Sequence, residues 1–149
     1  MLPVFLSQSA ALWLVMHAVF AAVLLGSAGH VAIVSMRARR FAQPASTARH
    51  ASLLAGLLLI TTITGFLLYP HFRVNVRAAF LDEQVPWATK LFEIKEHLAV
   101  FALPVALSFW ALSRQQAAKR AQAWTGLSLS LAVLFLFVAG VLIANVKGV

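Results

Sequence analysis

The chain has 149 residues, 62% of them hydrophobic and only 11% charged, more apolar surface than a soluble domain of this size can bury. It contains no cysteine, which removes disulfides, zinc ribbons, iron–sulfur clusters and covalent c-type haem attachment. The formal net charge of +8 is confined to the gaps between long uncharged runs, a pattern that orients helices in a membrane and gives no reason to expect a nucleic-acid partner.

Four runs are long enough to cross the hydrocarbon core, so the expected fold is all-α: one transmembrane domain over residues 1–149, built as a four-helix bundle. The first helix is expected over about residues 9–35. No basic stretch precedes it, so it reads as a span with an exported N-terminus and not as a signal peptide. Arg37, Arg39, Arg40 and Arg49 crowd the next connection without an acidic residue, which assigns it to the inner face.

The second helix is expected over about residues 48–68, closed by Tyr69-Pro70, which would leave His71 beyond the regular helix. A short segment lying on the outer membrane surface should follow, with Arg73 and Arg77 spaced for one helical face and Phe72 and Phe80 as anchors. This connection balances its cations with Asp82, Glu83, Glu93 and Glu96, as befits the outer side. The third helix can start at Pro86 and is expected to run from about 87 to 113, overhanging the membrane before His97, with Pro104 inside the span. Arg114, Lys119 and Arg120 mark a second inner connection. The fourth helix, about 124–145, has no ionisable side chain and reads as packing material. Both termini then lie outside, and Trp13 and Trp87 fall at outer ends, Trp110 and Trp124 at inner ends, where tryptophan favours the interface.

Five histidines carry the functional expectation, because imidazole within a bundle is the side chain best suited to hold haem iron or a transition metal. Depth places His17, His71 and His97 in the outer half and His30 and His50 in the inner half. His17 and His97 enter from one side on helices 1 and 3 and form the expected metal-ligand pair. His17 and His30, thirteen residues apart, are rotated by roughly 140° on a straight helix, so one haem fits the pattern better than two. Glu93 shares a face with His97 and could orient it, and Lys95, Arg73 or Arg77 could neutralise propionates. Gly26, Ser27, Ala28 and Gly29 before His30 permit close approach of another helix or a flat macrocycle.

The run Leu12-Trp13-Leu14-Val15-Met16-His17, the basic turn that follows helix 1, and Lys95-Glu96-His97-Leu98-Ala99-Val100 resemble a class of small four-helix bacterial membrane proteins that includes HemJ-type protoporphyrinogen oxidases and CopD-like domains. The resemblance covers roughly a third of the chain. It implies haem b, with functional roles for His17 and for Lys95 or the neighbouring His97. The aromatic and basic stretch that follows helix 1 in that family has no aromatic counterpart in Val31–Arg40, so the resemblance carries haem binding further than the protoporphyrinogen reaction.

The expectation is therefore a b-type haem protein of the bacterial inner membrane, serving electron transfer or haem-dependent redox chemistry near the outer face. His17 and His97 would ligate iron; His50, His30, His71, Arg73, Arg77, Glu93 and Lys95 are further candidates for holding the cofactor. Its partners would be membrane lipid, a quinone or a redox protein, and a second copy or a larger complex. One alternative is a non-catalytic subunit or assembly partner of a larger membrane complex. Another is copper handling through His17, Met16 and His71 or His97.

Overall fold

The computed structural model describes residues 9–38, 44–115 and 118–147. Arg39 and Arg40 of the first basic connection lie outside this set. The described chain is helical almost throughout: α1 spans Ala10–Ala38, α2 Pro44–Phe72, α3 Pro86–Leu112 and α4 Lys119–Lys147. All four are long and apolar enough to cross a membrane, the build of a multi-pass membrane protein. Their surfaces agree: Leu12, Val15, Val19, Phe66, Val100, Phe101 and Leu131 are each more than half exposed, which suits side chains that face acyl chains rather than water.

The helices run up and down around a square. α1 packs along α2 and α4, α3 along α4, and α2 touches α3 more lightly, so α1 and α3 sit on one diagonal. At the end that carries the α1–α2 and α3–α4 connections the interior is dry and close-packed. Leu24, Ala28, Val31, Leu54, Leu58, Phe109, Leu129 and Val133 meet there, and Ser130 Oγ donates to the Ala28 carbonyl at 2.8 Å, tying α4 to α1. Gly126 allows this closeness, since a Cβ there would collide with Ser35 Oγ and sit 2.8 Å from the Phe109 ring. Trp110 donates to Ser52 Oγ at 3.0 Å and carries the Arg114 guanidinium 4.1 Å above its ring, a cation–π contact at the mouth of the same end.

The opposite end corrects one expectation. Pro70 does not close α2: the helix runs through it to Phe72 and continues as a nine-residue π-helical segment, Arg73–Leu81, then one turn over Asp82–Gln84. His71 is accordingly a helical residue, with Asn75 Nδ2 3.2 Å from both its carbonyl and its Nδ1. An internal proline costs a helix roughly 3 kcal/mol, and packing beyond it offsets that. Val76 and Leu81 bury themselves against Ala88, Phe92 and Ile143, and Phe72 stacks on Phe92 with ring centres 4.4 Å apart. Arg77 also reaches over to α3, its Nη2 2.7 Å from Glu93 Oε1 and its Nε 3.5 Å from Asp82 Oδ1, while Thr89 Oγ1 donates to Asp82 at 2.9 Å. The connection between α2 and α3 is thus a helical hairpin continuous with α2 and pinned by an ion-pair network. Val85 makes the reversal, and Pro86 opens α3 in the first turn, where its missing N–H costs nothing.

Candidate functional site

Between the two apolar clusters lies a level at which every helix contributes something other than a packed aliphatic side chain. His17 of α1 projects toward α2, its Nδ1 3.0 Å from the Thr61 carbonyl oxygen and 3.2 Å from Thr64 Oγ1. The Thr61 carbonyl oxygen has no proton to give and can only accept from His17, and the Thr64 hydroxyl accepts beside it while its own proton goes to the carbonyl of Ile60 at 3.1 Å or of Thr61 at 3.0 Å. Nδ1 therefore carries the proton, and in the neutral ring the lone pair resides on Nε2.

The ring has room because α2 places Gly65 beneath it: a Cβ at that position would stand 3.0 Å from His17 Cε1. On the other diagonal corner, Lys95 of α3 extends inward over Gly140 of α4, whose missing Cβ would lie 3.6 Å from Lys95 Cε. The Lys95 ammonium is 5.9 Å from the centre of the Phe92 ring and takes part in no hydrogen bond or ion pair among the described residues. An imidazole and an ammonium thus occupy one diagonal, and the two glycines that admit them occupy the other.

The remaining candidates fall elsewhere. His97 and Lys95 are two residues apart, about 200° around a helix, so when Lys95 points in His97 points out. His97 is exposed, donates Nδ1–H to the Glu93 carbonyl of its own helix at 2.7 Å, and lines a shallow outward groove with Lys90, Glu93, Ile94, Leu98 and Phe101. Depth alone pairs His17 with His97; the structure turns His97 outward and points Lys95 inward over Gly140 instead. Glu93 is committed to Arg77 at 2.7 Å and Lys90 at 3.4 Å, and Arg77 to Glu93 and Asp82. His71 lies in the last turn of α2, and Arg73 opens the hairpin as an exposed residue.

His30 and His50 do meet. Their rings, from α1 and α2, have centres 4.3 Å apart and planes inclined by 33°, at the end opposite His17. Of the small residues before His30, Ala28 packs in the core and its carbonyl accepts from Ser130, whereas a Cβ at Gly26 or Gly29 would meet nothing within 4 Å. The glycines that matter, Gly65, Gly126 and Gly140, lie on α2 and α4, and sequence gave no reason to prefer them. Among the described residues no group of three or more His, Asp and Glu side chains converges as a metal cage. No protein-family model, curated protein or solved structure matches the chain.

Proposed function

We propose that this chain is a membrane-embedded b-type haem protein of the bacterial cytoplasmic membrane, acting in electron transfer or haem-dependent redox chemistry near the outer face. One observation carries the reading: His17 lies inside the bundle with Nδ1–H tied to the Thr61 carbonyl and Thr64 hydroxyl, which fixes ring and tautomer and leaves the Nε2 lone pair for a ligand. This is the arrangement by which proteins prepare a metal-binding imidazole, and its basicity rises with the Nδ1 hydrogen bond.

His17 would hold the haem iron through Nε2. The inward ammonium of Lys95 would face an anionic edge such as a propionate, in the role that sequence had offered to Arg73 and Arg77. Haem would supply one-electron chemistry, and a single histidine ligand leaves a coordination position on iron for a substrate or exchangeable partner. The outward aim of His97 favours that open site over a bis-histidine centre, and so favours reaction over simple electron carriage.

Absorption spectra of the purified protein, oxidised and dithionite-reduced, test the reading. Wild type and His97→Ala should both show a Soret band that shifts on reduction, and His17→Ala should lose it. A colourless wild-type preparation after haem-supplemented expression would overturn the proposal.

A further inference from the structure

We propose that His30 and His50 form a two-histidine site for a borderline divalent transition metal ion, Cu2+ or Zn2+, bridging α1 and α2 about 20 Å along the bundle from His17. It is independent of the haem reading.

The spacing of the rings argues for one shared ion. With metal–nitrogen bonds of about 2 Å and ring centres about 1.1 Å beyond the nitrogen, two imidazoles on one ion have centres about 4.4 Å apart at a right angle and about 5.1 Å apart at the tetrahedral angle. The observed 4.3 Å falls just short of that range, within reach of ring rotation, and His30, being exposed, is able to turn. Axial ligands on opposite faces of one haem would instead have ring centres about 6.3 Å apart, so this pair cannot sandwich an iron plane without separating the helices.

Chemistry narrows the ion. The whole chain has four acidic residues, Asp82, Glu83, Glu93 and Glu96, all on the hairpin or the start of α3, so no carboxylate belongs to the half of the bundle that holds His30 and His50. A site of neutral nitrogen donors without carboxylate disfavours Ca2+ and Mg2+, which demand oxygen, and selects ions that imidazole suits. The protein has no cysteine to offer thiolate. Both imidazoles come from long helices already packed against each other, so binding needs no loop to be ordered.

The test uses the full chain in detergent micelles with Cu2+ as probe. Isothermal titration should find a tight class of site that His30→Ala and His50→Ala each weaken by at least about tenfold, the least expected when a ligand is removed outright. The EPR spectrum of the Cu2+-loaded protein should carry nitrogen hyperfine structure from imidazole that disappears in the same variants. His30→Gln and His50→Gln, which preserve bulk, should behave like the alanine variants, separating ligation from packing. His97→Ala and His71→Ala should bind as wild type does. Cu2+ binding that is as tight in the His30→Ala/His50→Ala double variant as in wild type would overturn the site, and so would its loss in His97→Ala. Neither readout involves a Soret band, so failure here leaves the His17 proposal standing, and the reverse.

Discussion

The seam between α1 and α2 holds a histidine near each end, and the two are treated oppositely. At one end His17 is seated over Gly65 and held by Thr61 and Thr64, so its orientation is dictated by a helix other than its own. At the other His30 stands on an exposed face against a second imidazole, beside glycines that touch nothing. The same residue type on the same pair of helices is thus locked in one place and adjustable in the other. What differs is the opposite surface: two threonines and a glycine make a socket, whereas at the other end the facing group is a second imidazole.

The strongest way to break this contrast is to fill the socket. Gly65→Leu should drive the His17 ring out of place and abolish the Soret band as completely as His17→Ala, whereas Gly140→Ala, whose Cβ would meet Lys95 only at ordinary van der Waals distance, should keep it. Retention of haem in Gly65→Leu would show that the seat is irrelevant to binding. Next in size, Gly126→Ala should lower stability by about 1–3 kcal/mol through overpacking against Phe109 and Ser35, read from thermal unfolding in detergent. Its counterpart Gly56→Ala, where a Cβ would meet nothing within 4 Å, should raise stability by about 0.5–1 kcal/mol through helix propensity alone. If both shift stability the same way, the distinction between used and unused glycines fails. Smallest, Arg77→Gln should cost about 0.5–1 kcal/mol, and the loss should shrink in high salt because the ion pairs with Glu93 and Asp82 are partly exposed.

The four helices were legible because lipid leaves the backbone no alternative, so length and apolarity were sufficient signals. The end of α2 was not, since Pro70 is a strong local breaker and the contacts that carry the helix past it, Val76 and Leu81 on Phe92 and Ile143, come from residues far along the chain. Sequence sorted the histidines by depth correctly enough to place His30 near His50, yet depth says nothing about azimuth. It could not choose between Lys95 and His97, two residues apart and on opposite sides of one helix. Gly65 and Gly140 were invisible for a related reason: within an apolar run a glycine facing a side chain looks the same as one facing lipid, as Gly26 and Gly29 demonstrate.

The division of the core into two apolar clusters has a consequence for how anything reaches the middle. The cluster of Val76, Leu81, Ala88, Phe92 and Ile143 is the smaller, and it stands between the His17–Lys95 level and the nearer end of the molecule. The larger cluster at the other end clamps all four helices. Local opening follows the least buried apolar area, so the hairpin end should breathe at a free energy well below global unfolding while the far end stays shut. Entry and exit would then run through one door, past Phe92, and amide exchange in Arg73–Val85 would measure how often it stands ajar.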